Sequence, residues 1–87
     1  MPENPENNGI KLMKLQVGDS FELLTSTTAI NHGRLNEQKK LIWTNNPTTV
    51  SPGMPLEILD KFGNSIITVD GYQNIYELNR RIEVNKV

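Results

Sequence analysis

The residues that could perform acid–base or metal chemistry are few in this chain of 87 residues. His32 is the only histidine, and no second histidine or His-x-x-Glu spacing accompanies it, as a zinc site of that kind would require. Asn31 and Gly33 flank it and are typical of turns. We therefore interpret His32 as a loop histidine, and we predict no metal ligand here.

Three carboxylates, Glu57, Asp60 and Asp70, surround the stretch with the clearest strand pattern, so two of them could face each other across strands. A hydrolase with paired carboxylates needs a cleft between them, which a domain of this size rarely encloses. Asp60 and Asp70 are explained more simply as turn residues.

Other catalytic signals are missing from the sequence. The chain has no cysteine, which excludes disulfides, Cys-ligated zinc and thiol nucleophiles. Its six glycines are isolated and form no phosphate-binding loop. We predict that the protein is not an enzyme, with no catalytic residue, cofactor or metal.

Aromatic side chains are the first candidates for binding a partner. Trp43, Tyr72 and Tyr76 combine a large apolar body with a polar edge, as interface hot spots do. Trp43 stands next to the polar sequence Asn-Asn-Pro, which predicts partial exposure, although a core position for Trp43 is the alternative. Tyr72 and Tyr76 are four residues apart and would share one face of a helix.

Adjacent cations are the second candidates. Lys39–Lys40 and Arg80–Arg81 are the two such pairs in the sequence. If their strands were neighbours, they would form a positive patch beside Trp43, the combination with which small barrels bind single-stranded nucleic acid. Glutamates lie close to both pairs, so a solvated face of alternating charge is the alternative.

The element around which we expect the fold to be organised is residues 56–72. An apolar run, a turn over residues 60–64 and a second apolar run predict a β-hairpin, because the flanks are rich in β-branched residues and too short for helices. Asp60 and Gly63 are residues that a type I turn favours.

Further strands are predicted on both sides of this hairpin. Residues 13–17 alternate in polarity, and a Gly18–Asp19 turn would join them to residues 20–23, as a second hairpin or as one strand bent at Gly18. A short strand is expected over residues 39–44, ended by Pro47.

The remaining segments are less regular. Residues 25–38 read as a long loop, with a short helix from Leu35 as the alternative. Residues 73–78 suit a helical or 3₁₀ turn, or a helix extending to Ile82, and residues 81–86 a final strand.

Composition places the chain among small globular domains. It is 36% hydrophobic and 22% charged, with a net charge of −1. We predict a flexible tail over residues 1–9 and one domain over residues 10–87, mainly β, with five to six short strands and one helical or 3₁₀ turn before the last. A small barrel or sandwich, for example SH3-like, would bury Leu15, Phe21, Leu23, Leu41, Trp43, Leu56, Ile58, Ile67, Val69, Ile75, Ile82 and Val84.

These observations favour a small protein-binding module or a regulatory or inhibitory subunit. Edge strands of a small β domain can accept a partner strand, which would also permit homo-oligomers. The eleven asparagines and the small size would suit a phage or mobile element. The alternative is a barrel that binds nucleic acid through the Lys/Arg patch beside Trp43. No segment resembles a signal peptide or a membrane span, so we expect a soluble cytoplasmic protein with no membrane partner.

Overall fold

The structure is a computed structural model that describes residues 9–35, 37–38 and 41–87, with the main chain alone for residues 41–43. It contains one antiparallel sheet of eight strands and one 3₁₀ turn, Leu12–Lys14. The strands are β1 (Ile10–Lys11), β2 (Ser20–Leu23), β3 (Thr27–Leu35), β4 (Leu41–Val50), β5 (Leu56–Phe62), β6 (Ser65–Val69), β7 (Asn74–Asn79) and β8 (Glu83–Lys86). The predicted mainly-β class is confirmed.

The sheet is open. Its strands follow the order β1-β8-β2-β5-β6-β7-β3-β4, and in this described part of the chain β1 and β4 stand at the two edges. The predicted small barrel, SH3-like or otherwise, is not confirmed, because these edges do not pair with each other. Eight strands replace the five or six expected, since β1, β3 and β7 occupy segments not predicted as strands, whereas the strand expected over residues 13–17 is absent.

The core lies between β2, β5, β6, β7, β8 and the 3₁₀ turn. Apolar side chains from these elements form one buried cluster, to which the β3–β4 hairpin adds Ala29, with Val50 packed against its margin. The cluster consists of Leu12, Leu15, Phe21, Leu23, Ala29, Leu56, Ile58, Ile66, Leu78 and Val84.

The central hairpin is confirmed as β5–β6, with a tighter turn than expected. Phe62 pairs with Ser65, so only Gly63 and Asn64 form the loop. Gly63 has a φ of 56°, which fits the first central position of a type II′ turn and explains why glycine is needed there. Asp60 therefore belongs to the strand and does not begin the turn.

The segment before β2 is not the predicted strand. Leu12 and Leu15 are buried while Met13 and Val17 are exposed, a spacing of three that matches the 3₁₀ turn. The main-chain N–H of Asp19 donates to the Gln16 carbonyl (2.9 Å), closing a turn at Gly18 instead of a hairpin.

The predicted loop over residues 25–38 is mostly β3, which pairs with both β4 and β7. A β-bulge at His32 interrupts the alternation of buried and exposed positions, which is why the strand pattern is invisible in the sequence. Pro47 does not end β4 but pairs with Ile30 inside the ladder.

Residues 73–81 are not helical, since β7 occupies most of them and a turn at Arg80 and Arg81 precedes β8. The 3₁₀ turn lies before β2 instead of before the last strand. In β6 the buried face is also inverted: Ile66 and Thr68 are buried, whereas Ile67 and Val69 are half-buried. Ile82 is likewise half-buried, and the side chains of Leu41 and Trp43 lie outside the described residues.

Candidate interaction site

Strand β4 forms the long edge of the sheet. Its ten residues pair with β3 on one side, and no described strand pairs with the other side. Its sequence contains no charged residue. Natural edge strands are normally guarded by being short or charged, as the two-residue β1 with Lys11 is, or by a proline or a bulge. β4 is long and uncharged, so Pro47 and the register shift opposite Asn31 and Gly33 are the features that limit pairing along it.

Pro47 indicates which main-chain groups of β4 face outward. Ile30 pairs with Glu77 of β7 on one side and with Pro47 on the other. A proline inside a ladder stands where its missing N–H would point away from the neighbouring strand. By the alternation of the ladder, Thr49 points outward as Pro47 does, while Thr48 and Val50 point toward β3.

The sheet surface that extends from β3 across β7 to β6 is partly apolar. Ile67 pairs with Glu77 and Val69 with Ile75, on the face opposite the buried Ile66 and Leu78. Ile75 is 4% exposed although it lies outside the core cluster. Together with Ile30 across β3, these residues define the outer face: Ile30, Ile67, Val69, Ile75 and Glu77.

A hydrogen-bonded network crosses the outer face. Nε2 of His32 lies 2.6 Å from Oε1 of Glu77, and the Ser65 hydroxyl donates to Oε2 of the same carboxylate (2.6 Å). Nδ1 of His32 lies 3.3 Å from the carbonyl oxygen of Thr44.

The order of groups in this network does not create a nucleophile. In a serine hydrolase the histidine stands between the serine and the carboxylate, whereas here Glu77 lies between Ser65 and His32. Hydrogen bonds from Ser65 and His32 lower the pKa of Glu77, although burial acts in the opposite direction. A carboxylate stabilised in its charged form is a weak base. We therefore interpret the network as a structural contact that holds β3, β6 and β7 together. His32 is therefore a buried strand residue and not the loop residue expected.

A cleft opens where β3 and β7 separate. Their pairing ends at Ile30 and Glu77, although both strands continue beyond that point. The cleft has a volume of about 430 Å³ and is lined by Thr28, Ala29, Ile30, Pro47, Ser65, Glu77, Leu78 and Asn79. It thus connects the Glu77 carboxylate with β4.

The two tyrosines predicted to share one face, Tyr72 and Tyr76, lie in different environments. Tyr72 lies in the turn between β6 and β7 and is 64% exposed, while Tyr76 is half-buried against the core. Burial and the Asp70 carboxylate raise the pKa of Tyr76. Asp70 is buried and also accepts hydrogen bonds from the main-chain N–H groups of Tyr72 and Asn74, so it holds the turn together.

The arginine pair of the predicted basic patch does not lie beside Trp43. Trp43 pairs with Gly33, and Gly33 with Ile75 of β7. Arg80 follows Ile75 by about five residues, or about 16 Å along a strand. Arg80 and Arg81 are therefore at the opposite end of β7 from Trp43. The other predicted members, Lys39 and Lys40, lie outside the described residues.

Sequence reasoning missed the outer face because it depends on register. His32 and Glu77 are 45 residues apart, and nothing local in the sequence indicates that β3 pairs with β7. The one available signal is the run of β-branched and small residues at 27–30, which is compatible with a strand.

No family model, no curated protein and no solved structure matches this chain. Among the described residues, no helix is long and apolar enough to cross a membrane. In the same part of the chain, no three histidine or acidic side chains are grouped as a metal site requires.

Proposed function

We propose that this protein is a non-enzymatic binding module, a regulatory or inhibitory subunit, that recognises an extended segment of another protein along β4. The observation that carries the proposal is the open edge of a ten-residue strand without a charged residue. Main-chain hydrogen bonds to an added strand supply affinity, and pockets for alternate side chains supply specificity.

The surroundings of β4 support the same function. On the outer face, the half-buried Ile30 of the neighbouring β3 offers an apolar contact beside the edge, and the cleft lined by Pro47 and Glu77 gives one polar anchor. Pro47 removes one outward donor and so divides the edge, favouring partners that pair with the Thr48–Val50 side or with the residues before Asn46. Such a break restricts which segments can bind.

The test is a selection of short extended peptides on the wild-type protein, repeated on two variants at one position. Thr49→Pro deletes an outward N–H while leaving the inward bonds of Thr48 and Val50 in place. Thr49→Val keeps the N–H and the strand propensity. Selected peptides should bind wild type and Thr49→Val alike and lose at least tenfold in affinity for Thr49→Pro.

Peptides that bind all three proteins equally would reject the edge as the binding site. Self-association of the wild type that Thr49→Pro abolishes would still identify the β4 edge as the binding site. The partner would then be a second copy of the chain. The nucleic-acid alternative, as first drawn from the pairs beside Trp43, has no assembled patch among the described residues to support it.

A further inference from the structure

A cavity of about 310 Å³ opens where β4 ends and the chain turns toward β5. Strand β3 pairs with β4 from Val50 to Leu41, yet no residue of this described strand lines the cavity. The cavity therefore lies along the free edge of β4 and not between β4 and its neighbour. Its wall consists of Thr49, Val50, Ser51, Pro52, Gly53, Met54, Asp70 and Tyr76.

The turn after β4 forms the part of the wall nearest to the edge. Gly53 has a φ of 107°, as the third residue of a type II turn requires, and Pro52 stands in the second position that such a turn favours. A proline–glycine turn has little conformational freedom in its first half, because the ring of proline fixes φ. The half-buried Met54 that follows is thereby held in the same wall as Val50.

Among the described residues of the wall, Asp70 is the one that carries a charge, and its carboxylate is already fully bonded. Oδ1 accepts from the main-chain N–H groups of Tyr72 (2.8 Å) and Asn74 (2.9 Å), and Oδ2 accepts from Nδ2 of Asn74 (3.1 Å). The Tyr76 hydroxyl is hydrogen-bonded to the same carboxylate. A carboxylate offers about four acceptor sites. Asp70 therefore needs no donor from a ligand.

The rest of the wall is mainly apolar. Val50 and Tyr76 are half-buried and pack against the margin of the core, and Met54 is half-buried beside them. The volume lies at the lower end of the range of about 300–1,000 Å³ that small-molecule pockets occupy. This space suits one large side chain better than a whole ligand.

A strand added to β4 would place a side chain at this cavity. In an antiparallel pair, the residue opposite Val50 points to the same face as Val50, and the two Cβ atoms are about 5 Å apart. The residue before or after it would form the main-chain hydrogen bonds with Thr49, whose N–H points outward.

We propose that this cavity is the specificity pocket of the β4 edge and takes one large apolar side chain of the bound segment. The inference rests on the function proposed above and narrows it. Strand addition combines main-chain bonds with pockets for alternate side chains, so one position of the segment should be restricted while its two neighbours vary.

The probe is a fluorescently labelled peptide from the selection on the wild-type protein, and each of its positions is replaced by alanine in turn. Fluorescence anisotropy measures the affinity. One position, occupied by a residue such as Leu or Phe, should lose at least about tenfold, because methylene groups would leave an apolar pocket. The adjacent positions should lose less than about threefold.

Two substitutions of Met54 change the size of the pocket in opposite directions. Met54→Trp fills it, so the peptide with alanine at the restricted position should bind better than the peptide with Leu or Phe. Met54→Ala enlarges it, so the preference for Phe over Leu should rise at least about threefold above that of the wild type.

Met13 provides the matched control. It is 37% exposed, lies in the 3₁₀ turn with its main chain bonded to Arg80 and Lys61, and does not line the cavity. Met13→Trp and Met13→Ala should leave the order of peptide preferences unchanged. Circular dichroism and thermal unfolding of all four variants show that the fold is retained.

Binding that depends on Thr49 but shows the same residue preferences in wild type, Met54→Trp and Met54→Ala would overturn the pocket and leave the edge proposal standing. A preference for Lys or Arg at the restricted position would also overturn it, because Asp70 would then be the recognition group. Binding that Thr49→Pro leaves unchanged would reject the edge itself, and the pocket with it.

Discussion

Two groups of strands in this sheet, those around the core and the β3–β4 hairpin, are stabilised by different interactions. Around β2, β5, β6 and β8, side chains such as Phe21, Ile58 and Val84 are completely buried. The β3–β4 hairpin contributes only Ala29 to that cluster and is joined to the rest by strand pairing and by the contact of His32 with Glu77. Burial of apolar side chains therefore stabilises the region around β2, β5, β6 and β8. The β3–β4 hairpin depends on strand pairing instead, and the edge of β4 stays exposed.

The largest expected effect comes from damaging the packed region. Phe21→Ala should destabilise the protein by about 3–5 kcal/mol, because it removes a completely buried aromatic ring and leaves a cavity. Val50→Ala in β4 should cost about 1 kcal/mol, since its side chain is only half-buried. Urea unfolding measures the free energy of unfolding of both variants. Equal losses would contradict the conclusion that the two regions are stabilised differently.

An intermediate effect is expected at the junction between the two regions. Glu77→Ala removes the acceptor of both His32 and Ser65 and should cost about 2 kcal/mol. Glu57→Ala is the control, because Glu57 is an exposed glutamate on β5, two strands away from Glu77 in the same sheet. If the two variants were equally stable, the network would not hold the hairpin to the sheet.

A smaller effect is expected on the stability of the folded protein at acid pH. The pKa of Glu77 is lowered in the folded state, so the folded protein binds fewer protons at this group than the unfolded chain does. The resulting stability is present above about pH 4, the ordinary glutamate range, and is lost as the pH falls through the lowered pKa.

Unfolding free energies measured across this acid range should therefore decline less steeply in Glu77→Gln than in wild type. An unchanged pH dependence in that variant would show that the carboxylate is not preferentially stabilised in its charged form.

The sequence was most informative where local rules decide the structure. The β5–β6 hairpin follows from β-branched flanks and Gly63, and Phe21, Leu23, Leu56 and Ile58 were correctly placed in the core. Prediction failed in β6 because Ile66 and Ile67 are adjacent and equally apolar, so either could face inward.

The candidate site was less predictable, for two physical reasons. The bulge at His32 interrupts the alternation of buried and exposed residues by which β3 would be recognised as a strand. The neighbours of a strand are set by long-range pairing, which no local pattern encodes. The polar network unites residues distant in sequence, so its members appear unrelated until the strand order is known.

The central claim, that β4 presents an open edge, is tested most directly by amide hydrogen exchange in the free protein. The account predicts that the Thr49 amide exchanges rapidly, while the amides of Thr48 and Val50, which point toward β3, exchange slowly. Slow exchange at Thr49 comparable with its neighbours would contradict the claim, because the edge would then already be covered.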